Sequence, residues 1–287
     1  MNAAKLLIRK RFTARLLPVL LMLGIMHSET GCKKDLSVNL KPTLNVANDN
    51  LLVQRPFIAI FNMMVKAATD TALQNSHHAV IDGAEVTLDT TGKQYLFSFP
   101  GDLCPDSVFR YGGYMAVTDT GFFVEGSLTR IVFYGYAEDN HRITGSDTII
   151  NQGLAGGVKL VFRSQMSDVT VVKDSVRNIH WQGVHLFSVD QSVAWLGSVN
   201  AAVSIDGFGS GISSMNYAFN SSVTASLQEN LSCPWIKTGT ISFTMEEGDV
   251  KTGTIRFMAG QLCNNRVDYD FEGNLYYLWL NNDYLKN

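Results

Sequence analysis

The residues with chemical potential are few and scattered along the chain. Asp268 and Asp270 stand two apart, so on a strand they project from one face, and together with Asp106 they could hold a hard cation or act as an acid pair. Their neighbours Val267, Tyr269 and Phe271 alternate to the other face, which makes a solvated sheet face the simpler reading. His180 and His185 are five apart, a spacing that suits neither a helical histidine pair nor a zinc finger, and His77-His78 falls at a polar helix end. No metal site is expected. Gly209-Ser210-Gly211 lacks the strand, turn and helix context of a nucleophile elbow and reads as a flexible turn. Cys104 has no histidine near it in a protease signature. Trp181 and Trp195 are weak ligand candidates, since carbohydrate sites use exposed rings as platforms; Phe122-Phe123, Tyr134, Tyr136 and Tyr276-Tyr277 join them, with core packing the better account of most. No catalytic residue and no cofactor motif emerges, and an enzyme is disfavoured.

Cys104, Cys233 and Cys263 follow Cys32 in the chain. Two alternating runs, 239–246 and 250–258, flank the turn Glu247-Gly248-Asp249. For Ile241, Phe243 and Met245 to share a face with Gly253, Ile255 and Phe257, paired residue numbers must sum to an even value. A three-residue turn centred on Gly248 makes that sum 496, pairing Ile241 with Ile255 and setting each Phe against a Gly. Extended outward, the register brings Cys233 opposite Cys263, close enough for a disulfide. Buried free thiols are the alternative, and Pro234 interrupts strand pairing beside Cys233.

The elements that must position these residues are read from periodicity. After Pro56, Phe57, Ile60, Phe61, Met64, Val65 and Ala68 recur at spacings of three and four, which predicts one amphipathic helix in the region 51–78 that packs on its own sheet. From Ala79 the period becomes two, as in Ala84-Glu85-Val86-Thr87-Leu88 and Thr240-Ile241-Ser242-Phe243-Thr244-Met245, and no second long helical pattern follows. Parallel crossovers need such helices, so the strands are antiparallel. The fold class expected is all-β, predominantly antiparallel and sandwich-like, with one N-terminal amphipathic helix. Gly101-Asp102-Leu103-Cys104 recurs as Gly260-Gln261-Leu262-Cys263, which leaves open two related subdomains within the β body 79–287.

Ahead of the body, Lys5, Arg9, Lys10, Arg11 and Arg15 precede an apolar run from Leu16 to Ile25, the pattern of an export signal and too short for a membrane span. Thr30-Gly31-Cys32 then resembles a bacterial lipobox, with Glu29 departing from the aliphatic residue expected there. Residues 1–31 are read as a lipoprotein signal peptide, Cys32 as the lipidation site, and 32–50 as a flexible tether. Removing 1–31 takes five of 23 basic and one of 26 acidic residues, leaving 18 against 25 and a net charge of −7. Such a surface argues against nucleic acid as a partner.

Cys104-Pro105-Asp106, Arg110-Tyr111-Gly112, Gly126-Ser127, Ile131 to Tyr136 and Ile143-Thr144-Gly145, with Gly239-Thr240-Ile241 and Gly253-Thr254-Ile255 later, resemble a recurring pattern of Bacteroidetes-type lipoproteins. The resemblance spans roughly 56–280, is loose over 150–230, and implies a cell-envelope address and a β fold; the group has no established activity to carry over. The expected role is a lipid-anchored outer-membrane protein, on either face of that membrane, with a non-enzymatic binding or structural function and a protein or glycan partner. A secreted glycan-binding protein or glycoside hydrolase, and an assembly subunit or adhesin pairing through strand edges, are the alternatives.

Overall fold

Alternating sequence builds strands and the one continuous apolar stretch builds a helix, and the two are arranged with the helix inside. The computed structural model describes residues 40–89, 91–173, 175–191, 201–258 and 263–279. Helix α1 (Leu40–Thr69) leads, followed by a short α2 (Thr71–Ser76) capped by the Asp70 carboxylate, which accepts from the Leu73 amide. Fourteen strands follow among the described residues, each hydrogen-bonded to its sequence neighbour and all antiparallel. They are β1 (His78–Ile81), β2 (Ala84–Leu88), β3 (Gln94–Leu103), β4 (Phe109–Thr118), β5 (Leu128–Glu138), β6 (His141–Ala155) and β7 (Lys159–Val172). The second half is β8 (Asn178–Asp190), β9 (Ala202–Ile212), β10 (Ala218–Asn230), β11 (Cys233–Glu247), β12 (Asp249–Met258), β13 (Arg266–Phe271) and β14 (Asn274–Trp279).

The antiparallel class matches expectation, and the layering takes the form of one continuous sheet curled round α1. Strands far apart in the sheet all reach the helix. Phe57 meets Phe133 of β5 and Trp181 of β8, and Phe61 stacks on Phe187 of β8 at 3.8 Å while touching Phe162 of β7. Residues Pro42–Asn287 cluster as one compact unit, in which every described strand pairs with the next.

Two further sequence expectations need correction. The segment 40–50, read as part of the tether, is the first third of α1, and Thr43, Asn45, Asp49 and Asn50 in it are buried. It looked patternless because polar residues are buried inside the roll, Asp49 among them, which pairs with Lys173 at 3.1 Å and accepts from the Ser214 amide at 2.7 Å. Pro56 does not start the helix but lies within it, where its ring cannot donate to the carbonyl four residues earlier. The stretch Pro42–Thr69 is apolar and long enough to cross a membrane, yet 72 % of its most apolar window is buried in the fold, the signature of a core helix. Residues 1–39, including Cys32, and Trp195 lie outside the described residues.

Gly209-Ser210-Gly211 is not a turn but the interior of β9. A Cβ on Gly209 would lie 2.5 Å from the Trp181 indole nitrogen, and one on Gly183 of β8 would lie 2.4 Å from the same ring. The glycines exist to seat that tryptophan. The β11–β12 pairing has Ile241 opposite Ile255, Phe243 opposite Gly253 and Gly239 opposite Phe257, the register in which paired numbers sum to 496. Cys233 and Cys263 are joined in a disulfide with Cα atoms 5.7 Å apart, and Cys104 is a buried free thiol.

Candidate functional site

The curl brings early and late parts of the sheet together at one end of the helix. The β3–β4 loop, 104–108, meets the start of β11, where Val108, Cys233 and Trp235 form a small buried cluster. Between this junction, the β1–β2 turn and α1 lies a cavity of about 150 Å³. Its walls are Ala59, Asn62, Met63 and Lys66 of α1, Asp82 of the β1–β2 turn, Pro105 and Asp106, Arg110 of β4, and Leu231-Ser232 of the β10–β11 turn. A separate void of about 30 Å³ shares Ala59, Asp106 and Arg110 as wall and is lined also by Glu229 and Trp235. We call the larger the seam cavity.

Its floor is an ion-pair network. Arg110 donates through both terminal nitrogens to Asp106, at 2.8 and 2.6 Å, and through Nε to Glu138 at 2.9 Å. Arg55 of α1 donates to the other Glu138 oxygen at 2.9 and 3.1 Å and to Asp139 at 3.3 Å, and the Tyr136 hydroxyl donates to Glu138 at 2.7 Å. Burial alone would raise the Glu138 pKa, but Arg110 and Arg55 hold it down at about 2. Burial also pushes the Cys104 thiol up, with Arg110 partly opposing it, which leaves the sulfur protonated and unreactive at neutral pH.

Above that floor the pairing is incomplete. Asn62 donates from Nδ2 to Glu229 Oε1 at 2.7 Å, and both residues are buried. Asn62 Oδ1 and Glu229 Oε2 have no hydrogen-bond partner. Burial pushes the Glu229 carboxyl up to about 8 against the opposing pull of its Asn62 bond and of Lys66, so at neutral pH Oε2 can carry the proton and donate. Lys66 at the rim pairs with Asp82 at 2.5 Å.

The residues singled out from sequence are not assembled here as a unit. Asp106 lines the cavity, but both its oxygens are engaged by Arg110. Asp268 and Asp270 lie on β13, paired with Arg266 at 3.2 Å and Arg256 at 3.1 Å, and neither lines the cavity. Trp181 is 3 % exposed and packs on Phe57. His180 and His185 point to opposite faces of β8: His180 meets the Thr170 hydroxyl outside, and His185 meets Gln54 of α1 inside. Phe122 is buried in a turn against Phe162, and Tyr277 is exposed beneath the Arg266 guanidinium, 4.0 Å from its ring centre. Among the described residues no group of three or more His, Cys, Asp or Glu is placed to hold a metal ion.

Glu229 and Asn62 went unread in the sequence. A signal exists in retrospect: Leu227, Glu229 and Leu231 alternate, which puts an acid on the buried side of β10. On the outer face of β7 to β10 a shallower depression runs past Gln182, Ser210 and Asn220 beside Phe208, a single exposed ring. No family model, curated protein or solved structure matches the chain.

Proposed function

We propose that this chain is an exported, lipid-anchored protein of the bacterial outer membrane with a non-enzymatic binding role, and that the seam cavity is its ligand seat. The charged leader, its short apolar run and the lipobox-like Thr30-Gly31-Cys32 support the address. The resemblance to Bacteroidetes-type lipoproteins supports it too, and the structure gives its motif residues a physical role. Asp106 and Arg110 are the buried pair of the cavity floor, and a Cβ on Gly112 would lie 2.2 Å from the Gly135 carbonyl oxygen.

One observation carries the binding role: a cavity of about 150 Å³ between α1 and the sheet, whose wall gathers the polar Asn62, Lys66, Asp82 and Ser232 beside the apolar Met63, Pro105 and Leu231. The hydrolase alternative has Glu229 in its favour as a proton donor, but the carboxylates that line the cavity, Asp106 and Asp82, are held by Arg110 and Lys66. Among the described residues the edge strands are short, β1 with four residues and β14 with six against ten to fifteen from β3 to β12, which disfavours pairing through sheet edges.

Two measurements test the reading. Metabolic labelling with a fatty-acid analogue should mark the wild type and not Cys32→Ala; equal labelling, or none in either, removes the anchor. Ligand-observed NMR of the soluble protein against a small-molecule fragment set should find binders that Ala59→Leu, which fills the cavity wall, displaces without loss of fold; absence of any such binder removes the seat.

A further inference from the structure

We propose that the outer face of β8 to β12 binds a neutral polysaccharide, which lies across the strands against a row of uncharged polar side chains and one exposed ring. The register sets that row out. Gln182 of β8 pairs with Ser210 of β9, Ser210 with Asn220 of β10, Asn220 with Thr244 of β11, and Thr244 with Thr252 of β12. The row faces away from α1, since the alternating neighbours Trp181, Phe219, Phe243 and Met245 are the buried ones. With strands about 4.8 Å apart, it is about 19 Å long. Beside it, Phe208 of β9 opens a second row that continues through Ser222, Ser242 and Thr254. Two depressions of about 440 and 360 Å³ lie over β7 to β10 and share Gln182, Ser210 and Asn220.

Charge selects the occupant. Neither row carries a charged residue, in a chain of which 17 % is charged. Charge returns at the margins, where Asp168 lies at the rim of the larger depression, Asp206 accepts from Ser226 and Arg256 pairs with Asp270. A polyanion would find no cation in the rows, so nucleic acid and acidic glycans are disfavoured. A lipid tail or an apolar protein face would strip water from both rows of polar groups and return no hydrogen bond. Ser and Thr are also scarce at the energetic centres of protein interfaces, where Trp, Tyr and Arg dominate. Among the described residues, the side chains of Gln182, Ser210, Asn220, Thr244 and Thr252 have no hydrogen-bond partner in the protein. Each offers a donor and an acceptor, and a sugar hydroxyl answers both. Phe208, 63 % exposed and two residues from Ser210 on the same face, supplies a platform for the C–H side of a sugar ring. This surface lies outside the roll and the seam cavity beside α1, so the two readings stand or fall separately.

The experiment is affinity electrophoresis and titration calorimetry on the full-length protein, held in a detergent without a sugar headgroup. The neutral probes are mixed-linkage β-glucan, xylan, galactomannan and amylopectin, with alginate as the anionic control. At least one neutral polysaccharide should retard the protein and alginate should not. Its affinity should stay within about twofold between low salt and ~1 M salt, because no ion pair is made. Oligosaccharides cut from it should bind more tightly as they lengthen toward the ~19 Å of the row. Phe208→Ala should weaken binding about tenfold, and Phe208→Tyr, which keeps the ring, should hold it within about threefold. Gln182→Ala and Asn220→Ala should each weaken it about threefold, the effect of one lost hydrogen bond. All of these side chains are exposed, so the variants should keep the wild-type unfolding midpoint. Failure of every neutral polysaccharide to bind would overturn the proposal, as would alginate binding equally well or affinity that survives Phe208→Ala and Asn220→Ala combined. If Ala59→Leu abolishes binding and Phe208→Ala does not, the sugar sits in the seam cavity and the outer-face proposal fails. If the polysaccharide binds as expected while no fragment binds the cavity, the ligand seat fails and the outer face stands.

Discussion

Two carboxylates a few residues from the same cavity are handled in opposite ways, and the difference lies in what reaches them. Glu138 receives Arg55, Arg110 and the Tyr136 hydroxyl, and stays ionised although it is 1 % exposed. Glu229 receives one neutral amide and is pushed toward its protonated form. Glu138→Gln should therefore cost about 3–5 kcal/mol, since it strands two buried guanidiniums whose charges were compensated by one group. Urea unfolding at pH 7 measures this; a cost under about 1 kcal/mol would mean that water reaches the network and screens it. The isosteric change at Glu229 should behave differently, because Gln replaces an acid that is already neutral below about pH 8. Its stability at pH 6 should stay within about 0.5 kcal/mol of wild type, the range of a change that disturbs neither packing nor charge.

At the scale of elements, α1 acts as the core on which the sheet closes, and the sheet yields space where the helix demands it. Phe61 is fully buried among Phe122 of the β4–β5 connection and Phe162 and Phe187, which face each other on the paired strands β7 and β8. Phe61→Ala should cost about 3–5 kcal/mol, read from the denaturation midpoint, because the surrounding rings cannot all collapse into the gap. Reducing the Cys233–Cys263 bridge, which closes a separation of 30 residues, should cost about 3.5 kcal/mol through the freedom returned to the unfolded chain. These elements were unequally legible in the sequence. Strand alternation and the β11–β12 register could be read because side-chain parity is a local property, and one face of that hairpin had to be apolar. The start of α1 could not be read, because Asn45, Asp49 and Asn50 look like solvated tether until Met215, Lys173, Ser214 and Gln54 arrive from distant sequence or the next turn. The cavity was illegible for the same reason. Its wall joins α1 at residue 62 to the β10–β11 turn at residues 231 and 232, a contact that only the closure of the roll creates.

The whole molecule buries ionisable groups of both tendencies, and together they set its response to pH. Glu138 has a folded pKa of about 2 against an ordinary 4.5, so its contribution is present above pH 4.5 and drains away as pH falls toward 2. His185 is held neutral by burial, its pKa lowered from 6.5 to about 4, so the unfolded chain binds the extra proton and stability rises with pH between 4 and 6.5. Asp147 and Glu229 act in the reverse sense. Burial raises them to about 7 and about 8, so the folded state holds protons that the unfolded chain has released, and stability falls as pH climbs from about 4 through those values. Between pH 4.5 and 6.5 two falling contributions outweigh one rising one, and above 6.5 only falling ones remain. The protein should be most stable near pH 4.5–5, below the middle of the range usual for soluble domains, and should lose on the order of a few kcal/mol by pH 8. Urea unfolding midpoints from pH 3 to 9 would trace this curve. The double variant Asp147→Asn, Glu229→Gln should flatten the limb above pH 6.5 and leave the acid limb in place. A wild-type maximum near pH 7, or a double variant as pH-sensitive as its parent, would mean that water reaches these two carboxyls and that the roll is not closed around them.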